Sequence, residues 1–114
     1  MTRHTFTLRF RAVNRDTFLD IISGKKVVET RAATERYKNI KKGDLLILVC
    51  GKEKFKKEVK KVKIFKTVAS MIKVYPPNKI MPGISSVKEL QKAYYSYPHY
   101  REKIKKYGLV VLEL

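Results

Sequence analysis

Acidic residues are the scarcest chemistry in this sequence. Its 114 residues carry 10 Asp and Glu against 27 Lys and Arg, a formal net charge of +17. A field of that sign attracts polyanions and speeds their encounter, so nucleic acid is the first partner class and an anionic membrane surface the second. Lysine enrichment of the heat-adapted kind normally brings glutamate with it, and glutamate is scarce here. The deficit is also uneven. The 30 residues from Val59 to Lys88 hold seven lysines and no acid, so an anion lying along them meets no repelling carboxylate. The competing account of that stretch is a solvated strand face.

Other absences exclude more. A single cysteine, Cys50, forbids an internal disulfide and suits a reducing cytoplasm, the compartment expected. His4 and His99 lie far apart and Cys50 has no partner at a ligand spacing, whereas zinc wants three or four such ligands, so no metal is expected. Five glycines cannot supply a dinucleotide fingerprint, and Gly24-Lys25-Lys26 lacks the spacing of a phosphate loop, so no cofactor is expected. A serine nucleophile with a histidine base is possible in principle at Ser96 and His99, but closeness in sequence is no evidence of a triad. No apolar run reaches the roughly 18 residues of a membrane span. The opening Met1 to Phe6 lacks the apolar core of a secretory signal, and no basic amphipathic helix stands out, so no membrane partner is expected.

What is present reads as one domain over residues 1–114. Hydrophobic residues make up 44%, enough for a single core at this length. Thr5 to Phe10 alternates, with Phe6, Leu8 and Phe10 on one face of a half-buried strand. Asn14 is placed to cap a helix whose stripe is Phe18, Leu19, Ile21 and Ile22, and Gly24 ends it. Val27 to Ala32 is a second strand. Gly43-Asp44 turns into Leu45 to Val49, a central strand covered on both faces. Lys52 to Lys66 fits both periods, and its β-branched content favours one long strand edged by eight lysines. Thr67 caps a short helix that stops before Pro76-Pro77. Ser86 to Glu89 has the form of a capping box, and Pro98 suits the first turn of a further helix. Gly108 precedes the last strand, Leu109 to Leu114. The sum is an α+β fold: a small mixed β-barrel of about five strands decorated by helices.

The candidate chemistry centres on Ser23 to Arg31. A helix exit at Gly24 holds Lys25 and Lys26 at a bend beside a strand on which Glu29 and Arg31 share a face. Lys26 can contact a phosphate or a base carbonyl as a compact charge. Arg31 can hold Glu29 bidentately and aim it at the amino group of a base. The bland alternative is a surface connection with an ordinary ion pair. Lys60, Lys61 and Lys63 supply an exposed cationic ribbon. Of the seven tyrosines, five fall between Tyr94 and Tyr107. Tyr94, Tyr97, Tyr100 and Tyr107 sit at helical spacing with Leu90 and Ile104 and read as core, which leaves Tyr95 as the ring open to a base.

The pattern Gly-x-Lys-x-x-Glu-x-Arg, here Gly24, Lys26, Glu29 and Arg31, resembles the signature of the ASCH domain within the PUA-like superfamily. Lys42-Gly43-Asp44 and Tyr107-Gly108 extend that resemblance in the same order. It implies a PUA-like barrel with a ligand cleft lined by the motif, and RNA or a modified nucleoside as the ligand. Some members cleave acetylated cytidine with a lysine, a threonine and a glutamate, and others are credited with ribonuclease activity. The lysine corresponds to Lys26. The threonine falls on Glu29, and the glutamate falls in the acid-free stretch, so that mechanism does not carry over as it stands. Two functions therefore stay open. One is an RNA- or nucleotide-binding module using Gly24, Lys25, Lys26, Glu29, Arg31, Lys60, Lys61, Lys63 and Tyr95. The other is a metal-independent hydrolase of a nucleoside or of RNA, with Lys26 as proton donor or electrostatic stabiliser and Glu29 as general base.

Overall fold

The computed structural model describes residues 3–114, so Met1 and Thr2 of the N-terminal stretch lie outside it. Six strands form two three-stranded sheets. In the first, β1 (Thr5–Phe10) runs parallel to the central β3 (Leu45–Cys50), which pairs antiparallel with β4 (Glu53–Glu58). In the second, β6 (Leu109–Glu113) lies between β2 (Val28–Ala32) and β5 (Lys61–Phe65), antiparallel to both. The α+β class holds, but among the described residues no closed barrel forms and the strands number six.

The departure starts in Lys52 to Lys66, which is two strands and not one. The chain changes sheets at Val59-Lys60. Val59 is buried, its N–H donates to the Asp44 carbonyl and its carbonyl accepts from the Gly43 N–H. One residue later the Lys60 N–H donates to the Glu113 carbonyl. β-branched residues run through this corner without a glycine or proline, so composition does not mark it.

Helix α1 (Arg15–Ser23) follows a 3-10 turn at Ala12–Asn14, and Asn14 makes no side-chain cap bond. It buries Phe18 and Ile21, while Leu19 is 40% exposed, because about 100° of turn separates it from Phe18. Four helices fill the span between β5 and β6. They are α2 (Val68–Ile72), α3 (Pro77–Ile80), α4 (Val87–Tyr95) and α5 (Tyr100–Tyr107). Thr67 and Ser70 form a reciprocal capping box at α2, and the Ser86 hydroxyl accepts the Glu89 N–H at α4. α2 ends at Ile72, ahead of Tyr75-Pro76-Pro77, and Pro77 then starts α3, where its missing N–H costs nothing. Pro98 lies ahead of α5, behind the left-handed His99 at φ 60°.

β6 ties the two cores together, with Leu109 to Leu112 all buried. Val110 and Leu112 face a cluster that includes Leu8, Phe18, Leu46 and Leu48. Leu109 and Val111 face Val28, Met71, Leu90 and Tyr94 beneath the helices. Gly108 enters this strand at φ 77° and ψ −161°, and a Cβ there would lie 2.3 Å from the Phe65 carbonyl oxygen. Among the described residues no helix is long and apolar enough to cross a membrane.

Candidate functional site

β1 is an outer strand of one sheet and β2 of the other, and among the described residues no ladder joins them. Edge strands leave backbone groups unpaired, and along this seam side chains satisfy several of them. The Thr30 N–H donates to Glu29 Oε1 at 3.0 Å, and the Ala32 N–H to the Tyr100 hydroxyl at 3.3 Å. Across the gap, Arg31 Nη2 donates to the Arg9 carbonyl at 3.3 Å. The seam opens into a cleft of about 560 Å³, closed on its far side by the ends of α4 and α5 and by the turn around Met81 and Pro82.

The exit of α1 delivers Lys26 to this cleft. Gly24 takes the left-handed conformation at φ 83° and caps the helix, and the Lys26 N–H returns to the Asp20 carbonyl at 2.9 Å. A residue with a Cβ would be strained there. Lys26 is 3% and Glu29 5% exposed, so the lysine is part of the floor and not a waving surface charge. Its ammonium donates to the Ile80 carbonyl and stands 3.7 Å from Glu29 Oε1. Burial lowers its pKa, against the attraction of Glu29.

Arg31 closes the network at 3.3 Å from Glu29 Oε2. The contact uses Nη2 alone, not the bidentate fork expected from sequence. The guanidinium also lies over Phe10 at 4.9 Å and Tyr37 at 5.7 Å. Burial works to lower its pKa, but Glu29 and the phenols of Tyr37 and Tyr100 outweigh that and raise it. Nε and Nη1 meet no protein acceptor among the described residues. No polar side-chain atom there is both buried and unpaired, so these donors are open to solvent.

Three tyrosines make the opposite wall. Tyr94 stacks on Tyr100 at 6.4 Å and 17°, and Tyr97 meets Tyr100 edge-on at 5.2 Å and 80°. The Tyr94 and Thr30 hydroxyls are hydrogen-bonded to each other. Burial raises the pKa of all three phenols, which keeps them protonated as donors. Arg9, Arg11 and Lys103 join Lys26 and Arg31 against Asp16, Asp20 and Glu29, so cations outnumber acids in the cleft.

Of the residues singled out in the sequence, the cleft gathers Lys26, Glu29 and Arg31. Gly24 shapes the approach, and Lys25 points to solvent outside the lining. Lys60, Lys61 and Lys63 belong to β5 and its approach, two strands away from β2 across β6, roughly 10 Å at the usual strand spacing. Tyr95 is 44% exposed beneath Arg101 and does not line the cleft. The tyrosines read as pure core, Tyr94, Tyr97 and Tyr100, are the rings that do. Arg9, Arg11 and Lys103 carry no sign of the cleft in the sequence, since nothing in their spacing says that β1 and α5 face β2. Among the described residues no three His, Cys, Asp or Glu side chains gather as a metal site.

A model of the ASCH domain matches residues 13–114. No curated protein matches the sequence. Among solved structures, the chain is similar to a hypothetical protein, PH0355, with 28% identity, a TM-score of 0.81, and 96% of this chain and 95% of that one covered. It is also similar to protein PF0455 from Pyrococcus furiosus, with 27% identity, a TM-score of 0.71, and coverage of 96% and 94%.

Proposed function

The chain belongs to the ASCH domain family, and from that footing we propose that it is an RNA-binding protein of PUA-like kind that seats one nucleotide in the seam between β1 and β2. The observation that carries this reading is the pairing of open Arg31 donors with a tyrosine wall across a cleft of about 560 Å³. That volume falls among sites for small ligands, at roughly 300–1,000 Å³, and is far too small for a duplex. A guanidinium with unpaired donors suits a phosphate or a base carbonyl. Half-buried phenols supply a π-face and a hydroxyl. The charge of +17 draws the polyanion in. Glu29, held by Lys26, Arg31 and the Thr30 N–H, serves to fix Arg31 in direction.

The test is a titration of backbone amide signals with the four ribonucleoside monophosphates and a short RNA. Shifts should concentrate at Lys26 to Arg31, Tyr97 and Tyr100. Millimolar nucleotide that leaves those signals in place, or moves only remote ones, overturns the assignment.

One observation supports a second reading, hydrolysis of a modified nucleoside. Lys26 is a buried lysine with a lowered pKa, and Thr30, whose hydroxyl is hydrogen-bonded to that of Tyr94, is among the residues that line the same cleft. A lysine whose charged form is disfavoured by burial gives up its proton more readily than an exposed one. Turnover of an acetylated cytidine, abolished in Lys26→Ala with the fold intact, decides for it. Binding without turnover leaves the module reading alone.

A further inference from the structure

The connection between β2 and β3 leaves the cleft at Arg31 and does not become neutral. From Ala33 to Gly43 it carries Arg36, Lys38, Lys41 and Lys42 against one acid, Glu35. Its first cation follows directly on the cleft, because Tyr37 has Arg31 at 5.7 Å and Arg36 at 5.7 Å from its ring. Its last cations border a second hollow of about 420 Å³, where Lys38, Lys41 and Lys42 meet Lys61 of β5. Val62 and Ile64 give that hollow an apolar floor, and Ile64 is 54% exposed.

The acids around this path are already engaged. Glu35 pairs with Lys38 at 2.8 Å, and Glu58 with Arg3 at 3.8 Å. Glu113 takes the Tyr75 hydroxyl. Asp44 is buried and accepts from the backbone of His4 and Lys41. Among the described residues, Lys41, Lys42 and Lys61 pair with no carboxylate. Unpaired lysines over an exposed apolar floor match a strand that presents phosphates on one side and sugar or base on the other.

We infer that the β2–β3 connection and the outer edge of β5 form a phosphate track, which holds the RNA strand flanking a nucleotide seated in the cleft. The inference rests on the cleft reading for its starting point. A nucleotide at Arg31 places its neighbours at Arg36, and the strand then runs over Lys41 and Lys42 to Lys61. Phosphate contacts of this kind position a strand without reading its sequence, so the track adds affinity and salt dependence but no base preference.

The test compares wild type with Lys41→Gln/Lys42→Gln/Lys61→Gln, using a fluorescein-labelled 12-residue oligouridylate and, separately, CMP. Each phosphate neutralised on a single strand contributes about 0.7 to the slope of log affinity against log salt, so three lost contacts should lower it by about 2. CMP shifts at the cleft should be unchanged in the variant. An oligouridylate slope that stays the same overturns the track. So does loss of CMP binding together with the slope, which makes these lysines part of the cleft's own support. Wild type that prefers phosphatidylserine vesicles to the oligouridylate also overturns it. A slope that falls as expected, in a protein whose cleft shows no CMP shifts, removes the cleft reading and keeps the lysine surface as an RNA contact.

Discussion

Glu29→Gln removes one charge from the floor of the cleft and little else. The amide keeps the shape of the side chain and an oxygen to accept the Thr30 N–H, so the edge of β2 stays satisfied. Lys26 at 3.7 Å and Arg31 at 3.3 Å lose their counter-charge. At an effective dielectric constant of 20 those attractions are about 4.5 and 5 kcal/mol before desolvation. Breaking a buried pair by removing one partner costs about 3–5 kcal/mol, and that is the loss expected at pH 7. The two cations then respond differently. Arg31 cannot shed its proton, whereas the Lys26 pKa, already lowered by burial, falls further. Between that lowered value and the ordinary lysine range near 10.5, the unfolded chain binds the proton and the folded chain does not. Stability therefore rises with pH through this window. One proton limits the slope to about 1.4 kcal/mol per unit. Urea, which does not screen charge, should be used to follow the circular dichroism at low ionic strength from pH 6.5 to 9, below the tyrosine range. On a Lys26→Met background the same change should cost at least about 1 kcal/mol less, since neighbours in one network couple. A loss under about 1 kcal/mol, stability that falls over this range, or strict additivity refutes the buried three-charge network.

Other consequences are separable. Tyr97→Ala removes a ring whose hydroxyl makes no hydrogen bond among the described residues, so CMP affinity by calorimetry should drop roughly 5- to 150-fold, the equivalent of about 1–3 kcal/mol of stacking; an unchanged affinity takes Tyr97 out of the site. Gly108→Ala puts a Cβ 2.3 Å from the Phe65 carbonyl in a backbone region reserved for glycine, and should cost more than about 2 kcal/mol in urea melts. Alkali should destabilise the protein, because Tyr75 is pushed up to about 12 by burial and Glu113, and Tyr94, Tyr97 and Tyr100 are also raised. Stability from these phenols is complete below the unfolded value near 10 and disappears as pH climbs through the folded values. Absorbance at alkaline pH should show at least four phenols that ionise late and lose that delay in urea.

Local chemistry made much of this fold legible. Alternation located β1, the Thr67 and Ser86 caps located α2 and α4, and Gly24 and Gly108 marked a helix exit and a strand entry. Each of those signals is short in range, and the structure uses them in place, although Ser86 caps α4 through the Glu89 N–H without a return bond from the Glu89 side chain that would complete the box. The corner at Val59 was hidden because it is made by partners distant in sequence, Gly43, Asp44 and Glu113. The tyrosines misled for a related reason. Helical spacing says which side chains share a face, but not whether that face meets packed apolar groups or a cleft. Tyr94 is buried, and Tyr97 and Tyr100 are half-buried, so one stripe serves as core at one end and as wall at the other. Glu29 and Arg31 were placed on one face by alternation, whereas the burial of Lys26 depends on Ile80, 54 residues away, and no local pattern contains it.

The open seam also separates what the motif does for the fold from what it offers to a ligand. A ladder between β1 and β2 would satisfy both edges with backbone bonds, each worth about 0.5–1.5 kcal/mol net. Here Glu29, Tyr100 and Arg31 make three such bonds with side chains, at the expense of burying a charge network that must stay intact. Were fold stability the whole role, Arg31 would be expected to use its fork fully on protein acceptors. It spends Nη2 alone, on Glu29 and the Arg9 carbonyl, and leaves its other donors without a protein acceptor among the described residues, in a residue that lines the cleft with Arg9, Arg11 and Lys103. Arg31→Lys divides the two roles. A lysine there can still pair with Glu29, so stability should change by less than about 1.5 kcal/mol, yet it lacks the planar fork and should bind CMP at least about tenfold more weakly. Equal losses in melting and in affinity would leave Arg31 as a brace of the seam and nothing more.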